Sequence, residues 1–359
     1  MATAPPSLAM IDHWLSCDLD AWTRSVIQRH FNPAFGSPYW LRVAKDLPFD
    51  PLEITRYDEL KAFGPFPRED LRTLDPTDLV PQDRPRPLAV RIWDTGGTTG
   101  DPCRIVYTDR MLTHRGLWRW WQLENEGFER GRAWLQATPS GPHVIGEGAW
   151  ELVDLYASRA YAIDMDPRWV KRLIRQGNLA GAKEYTEHLI EQITGALRSQ
   201  PIDYLNTTPA LFQALCDRFP ELVAKLGGVR LSGTHVSPDM YRGFKEALGE
   251  NGIVGLTYGN TFGNSCGLAP ENDGEVLPYV PTYPQVTTRV VDRSDWTVTV
   301  PYGQVGRVCL TVLQEDLFLP NILERDQGER WDPQGRWPTD GVANVRPLEI
   351  TRSSPEGLY

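Results

Sequence analysis

The sequence predicts an α/β protein: a sheet flanked by helices that passes, late in the chain, into a small β-rich unit. Three observations carry this. Between about residues 166 and 259, capped amphipathic helices alternate with short apolar runs, the pattern of strands joined by helical crossovers. From about residue 286 the pattern changes to "VTTRVVD", "WTVTV" and "VGRVCLTVL", short β-rich runs that suggest an antiparallel sheet or small barrel. The composition, 41% hydrophobic and 23% charged over 359 residues, is ordinary for a soluble globular chain with a sizeable core. Residues 1–345 are expected to form one large domain, and 346–359 a tail.

The elements follow in order. Residues 1 to 90 are rich in Pro and Asp, with helical pieces "DAWTRSVIQRHF" and "SPYWLRVAKDL". "LAVRIWDT" (88–95) reads as a buried strand, "RIVYT" as a second strand, and "DRMLTHRGLWRWWQLENEGF" as a helix. "DMDPRWVKRLIRQGN" has Asp166 as N-cap, Pro167 at the first helical position and Gly177 just past the end. Its Trp169, Val170, Leu173 and Ile174 form one apolar stripe. Residues 183–199 form a second helix with Tyr185, Leu189, Ile190, Ile193 and Leu197 on one face. "TTPALFQALCDRF", capped by Thr208, and "SPDMYRGFKEALG", capped by Ser237 and closed by Gly249, follow. Between them lie strands at 202–206, 228–233 and 252–259. The 13 tryptophans, "WRWW" (118–121) included, stand at helical spacing and read as core.

The bulk charge narrows the function. Lys plus Arg number 37 against 47 Asp plus Glu, a net charge of −10, with no long basic run. A nucleic-acid or anionic-membrane surface is therefore not expected. The five cysteines are odd in number, scattered and without metal-ligand spacing, as for reduced thiols of a cytoplasmic protein. The first residues lack a secretory pattern, and nothing reaches the about 18 apolar residues needed to span a bilayer.

One stretch carries the chemistry: "DTGGTTGDPCRIVYT", residues 94–108. A P-loop would need a Lys after its last Gly, but Gly100 is followed by Asp101 and Pro102, and a dinucleotide G-x-G-x-x-G is absent. What remains is Thr95, Gly96, Gly97, Thr98, Thr99 and Gly100. Successive backbone N–H groups and three hydroxyls can wrap a polyphosphate without a cation. A plain hairpin connection fits the same composition.

This loop resembles the signature of the adenylate-forming superfamily of acyl- and aryl-CoA ligases. The continuation "DPCRIVYT" and the leader "FPREDLRTLDP" look most like its phenylacetate-CoA ligase branch. Within that branch, "PSGPH", "IDMDPRWV" and the short C-terminus are similar to small aryl-acid-activating proteins of phenazine antibiotic pathways. The likeness runs from about residue 20 to 345.

The resemblance implies roles for later motifs. "LSGTHVS" falls where the family lines the adenine, giving Ser232, Gly233 and Thr234; an ordinary strand-to-helix turn capped by Ser237 fits as well. "TYGNTF" resembles Y-G-x-[ST]-E: Tyr258 and Gly259 would meet adenine, and the Thr261 hydroxyl would donate to the α-phosphate, where charge builds. Thr261 and Thr99 are thus the implied catalytic residues. The family's Mg²⁺-holding glutamate is replaced by Phe262, so Mg²⁺ would be held mostly by phosphates and water. Asp326, in "LPNILERDQGER", would accept from the ribose hydroxyls, or is simply a solvated surface carboxylate. Neighbouring Arg325 is an open phosphate contact. His143, His235 and Phe262 border the expected acyl pocket, though His143 also suits a satisfied loop histidine.

Two departures bear on rate. Asp101 and Cys103 stand where relatives often carry Lys, and only "DGVANVRPLEITRSSPEGLY" follows the Asp326 region. The family's small C-terminal lid domain, with its catalytic lysine, is therefore not expected. Losing one such donor typically costs about 10²–10³ in rate. The implied activity is ATP-dependent conversion of an aryl carboxylic acid to its acyl-AMP, which then passes to an acceptor or reductase protein. A silent nucleotide-binding scaffold subunit, and activation of an unusual acid such as nitrite, are the alternatives.

Overall fold

In the computed structural model, residues 8–96 and 101–348 are described. The strands are β1 (Arg91–Asp94), β2 (Arg104–Tyr107), β3 (Ala133–Ala137), β4 (Arg159–Ala162), β5 (Tyr204–Thr207), β6 (Gly228–Leu231), β7 (Ile253–Gly259), β8 (Asn264–Gly267), β9 (Pro278–Pro281), β10 (Val286–Val291), β11 (Val305–Gln314), β12 (Leu317–Trp331) and β13 (Gly341–Pro347). β1 and β2 form a separate antiparallel hairpin. The other eleven make one sheet, in the order β10-β11-β12-β13-β9-β8-β7-β6-β5-β3-β4.

The sheet has two characters, joined at β7. From β4 to β7 every pairing is parallel; from β7 to β10 every pairing is antiparallel. Parallel strands need crossovers, and the capped helices supply them. Helix Pro209–Arg218 joins β5 to β6, and helix Pro238–Leu248 joins β6 to β7. Both begin as their sequences dictate: the Thr208 hydroxyl accepts from the Leu211 N–H, the Ser237 hydroxyl from the Met240 N–H, and Pro follows each cap. β5 and β6 are buried throughout, as expected of parallel strands covered on both faces. Helices Leu179–Ser199, Asp109–Glu126 and Pro238–Leu248 pack on the sheet. The antiparallel half is an open continuation of the same sheet, so the alternative of a separate barrel is set aside.

Some sequence expectations are corrected. β1 is half-exposed, because it pairs only with β2 and stands apart from the main sheet. "WTVTV" forms no named strand; Thr299 contributes one isolated bridge to Val291. "LPNILERDQGER" lies within β12, the longest strand at 15 residues, rather than a surface loop. Trp169 is 47% exposed while Val170 and Leu173 of its stripe are buried. Trp118 of "WRWW" is buried as expected, stacked with Trp14 and against Trp337. All five cysteines are free thiols. No helix among the described residues is long and apolar enough to cross a membrane.

Candidate active site

The candidate residues converge on the carboxyl ends of the parallel strands, where open α/β sheets bind ligands. The hairpin brings Thr95 and Gly96 there. Thr95 closes its base twice, its N–H donating to the Cys103 carbonyl and its hydroxyl accepting from the Cys103 N–H, both at 2.9 Å. Gly96 follows, exposed. Gly97, Thr98, Thr99 and Gly100 lie outside the described residues.

Thr261, from the turn after β7, meets that hairpin. Its hydroxyl donates to the Asp94 carbonyl at 3.5 Å, and its own carbonyl accepts from the Tyr107 hydroxyl at 3.2 Å. Two segments 167 residues apart in sequence are thereby locked together at the residue implied to face the α-phosphate. The turn is braced from within, since the Asn260 side-chain oxygen accepts from the N–H groups of Phe262 and Gly263. Phe262 is 2% exposed and lies under the Arg68 guanidinium, 5.0 Å from its ring centroid. Its ring shapes the turn from beneath and presents no open face to a substrate.

The remaining candidates line the same edge. Ser232 follows β6, its N–H donating to the Thr207 carbonyl, and Gly233 takes φ of +93°, a left-handed turn that bares its backbone. Thr234 and His235 are half-buried. Tyr258, in β7, donates its hydroxyl to Asp326 at 3.0 Å. The pair spans the sheet from β7 to β12, and His235 lies close enough to favour the ionised Asp326. Burial pushes the Asp326 carboxyl up, partly offset by the Tyr258 hydrogen bond, and burial raises the Tyr258 hydroxyl well above its usual range. Two residues earlier, burial pushes Glu324 up to about 7, against the pull of Arg68 3.5 Å away.

His143 comes from the other side. The Asp94 N–H donates to the Pro142 carbonyl at 2.8 Å, which sets the "PSGPH" turn against β1. His143 is buried there, and burial pulls its pKa down, reinforced by Arg168, so it is neutral near pH 7.

Below Tyr107 lies a polar floor not anticipated from the sequence. Helix Asp109–Glu126 delivers Arg115 and Arg119, one turn apart, to Glu151; the Arg119 Nε lies 2.8 Å from it and Arg115 is in close contact. Arg230 of β6 bonds Gln122 and stands 3.5 Å from Glu126. Burial pushes Glu126 up to about 7 and Arg119 down to about 9.

The sequence also missed two cations. Lys171, on helix Pro167–Arg175, donates to the Gly96 carbonyl at 2.6 Å, and Arg168 pairs with Asp94 at 2.5 Å. The hairpin is therefore not cation-free. The spacing of basic residues on that helix was the available signal, but nothing local said where the face would dock.

The fold is that of the adenylate-forming enzymes. Among solved structures the chain is similar to 2-hydroxyisobutyryl-CoA ligase in complex with 2-HIB-AMP and CoA in the thioesterification state. That match has a TM-score of 0.67 at 17% identity, covering 95% of this chain and 68% of the ligase. An open conformation of that ligase with the same two ligands matches at TM-score 0.64 and 16% identity, covering 91% and 72%. Its postadenylation state with R3-HIB-AMP gives 0.62 at 15%, covering 92% and 67%. No family model and no curated protein matches the chain.

Proposed function

We propose that the chain activates an aromatic carboxylic acid with ATP and hands the acyl group to an acceptor or reductase protein. The acid carboxylate attacks the α-phosphorus, the bond to the β-phosphate bridging oxygen breaks, and pyrophosphate leaves with that electron pair. The observation that carries this reading is the anchoring of Thr261 at Asp94, at the same sheet edge as the Tyr258–Asp326 pair.

The residues divide the work. Ser232, Gly233, Thr234, Tyr258 and Gly259 would frame the adenine, and Asp326 would accept from the ribose hydroxyls. A hydroxyl and backbone donors fixed before the reaction stabilise charge without reorganising. Thr261 is held in that way. His143, neutral and turned toward Asp94, would border the acid. Thr95, Gly96, Gly97, Thr98, Thr99 and Gly100 would embrace the polyphosphate. Mg²⁺, when bound, would neutralise phosphate charge; Phe262 offers it no ligand, so it would enter on the phosphates themselves. Residues 1–345 would act as one domain.

Phe262 also favours a second reading, a silent nucleotide-binding scaffold subunit. Pyrophosphate exchange with a panel of aryl acids separates the two. Acid-dependent exchange is expected; ATP binding without exchange for any acid would replace the enzyme with the scaffold. In the same assay, the double substitution of Thr98 and Thr99 by Val is expected to raise the ATP concentration needed.

A further inference from the structure

Helix Pro167–Arg175 carries Arg168, Lys171 and Arg175 at spacings of three and four, which places them on one face. That face meets the end of β1, with Lys171 on the Gly96 carbonyl and Arg168 on Asp94. Arg104 reaches the same Asp94 at 3.7 Å. From β12, Arg325, beside Asp326, acts on Lys171 as a like charge, as do Arg175 and Arg168. A chain with a net charge of −10 thus gathers Arg168, Arg175 and Arg325 as like charges around Lys171, at the end of β1 where Arg168 and Arg104 both reach Asp94. Gathering like charges is unfavourable, and burial together with those neighbours brings the Lys171 ammonium down to about 8. A multiply charged anion placed among them relieves both costs.

We propose that Lys171, flanked by Arg168 and Arg325, receives the β- and γ-phosphates of ATP and steadies the pyrophosphate as it leaves. The inference rests on the nucleotide reading above and goes beyond it in assigning the polyphosphate cation to the core of the chain. As the α–β bridging bond breaks, its electron pair stays on pyrophosphate, and an adjacent ammonium stabilises the growing charge. No proton needs to move. In that step the ammonium exchanges its contact with the Gly96 carbonyl for one with a phosphate oxygen.

The test is calorimetric titration of the full chain, as wild type, Lys171→Gln and Lys171→Arg, with ATP, AMP and inorganic pyrophosphate separately. Loss of one charge-assisted contact is expected to weaken ATP and pyrophosphate about 10- to 100-fold in Lys171→Gln. AMP binding is expected to be unchanged, and Lys171→Arg to restore most of the loss. Raising the pH from about 7 to about 9 should weaken ATP binding to wild type, because the ammonium is lost through about 8, and leave Lys171→Arg flat. The groups that act on Lys171 are Arg168, Arg175 and Arg325; His143, whose pKa burial lowers, is already neutral, and Asp94 is engaged by Arg168. Unchanged ATP affinity in Lys171→Gln, or equal weakening of ATP and AMP, overturns the inference. If wild type binds neither nucleotide, the proposed function itself falls and takes the inference with it. Should Lys171→Gln melt early, the pH series decides: ATP affinity that falls between about pH 7 and about 9 in wild type but not in Lys171→Arg supports the inference, and parallel behaviour of the two overturns it.

Discussion

Asp326 is held by a single phenol: the Tyr258 hydroxyl donates to its Oδ2 at 3.0 Å, which fixes the carboxylate while its other oxygen takes no part in that contact. In the proposed role that second oxygen accepts from the ribose. Asp326→Asn is therefore expected to weaken AMP binding about 10- to 100-fold, since an anionic acceptor becomes a neutral one. Tyr258→Phe, which loosens the carboxylate but keeps the ring, should cost less, about tenfold or below. Calorimetry with AMP reads both, and equal affinities across the three proteins would remove Asp326 from the nucleotide site. Tyr258, Thr261 and Asp326 could be named from the sequence because their short motifs resemble a family's and follow in its order. Lys171 was not. Its partner Gly96 is 75 residues away, and only the packing of a whole helix brings them together.

At the scale of elements, helix Asp109–Glu126 and helix Gly148–Tyr156 are joined by Glu151, which answers both Arg115 and Arg119. All three side chains are nearly covered, so removing the acid leaves two uncompensated guanidiniums inside. Glu151→Gln is expected to cost about 3–5 kcal/mol. The urea midpoint measures it; an unchanged midpoint would mean that these charges are solvated in solution. Helix starts were readable from sequence because a capping hydroxyl and a following Pro are local devices, as at Thr208 and Ser237. Exposure was not. β1 and Trp169 have apolar neighbours in sequence, yet what covers an apolar run is decided by elements far along the chain. β12 was hidden for the converse reason: its charged residues imply solvent, while its pairing to β11 and β13 encloses them.

For the molecule as a whole, pH enters through a buried imidazole. His30 is fully covered, hydrogen-bonded to Ser37 at 2.6 Å and close to the Gln314 carbonyl at 3.3 Å. Burial, with a smaller push from Arg29, takes its pKa from 6.5 down to about 3, so the folded chain binds fewer protons here than the unfolded one. The stability this group contributes is complete above 6.5 and is lost as pH falls toward 3. Thermal melts across that window should show a shallower acid loss in His30→Asn than in wild type, whereas parallel slopes would place the acid lability elsewhere. The two characters of the sheet have a last consequence. β7 is bonded to β6 on one side and β8 on the other, so β6, which Ser232 follows, and β12, which bears Asp326, belong to one continuous slab. A nucleotide meets a mould already cast. Its arrival need not draw two halves together, and the heat capacity released on binding AMP should be no greater than the ligand's own covered surface requires.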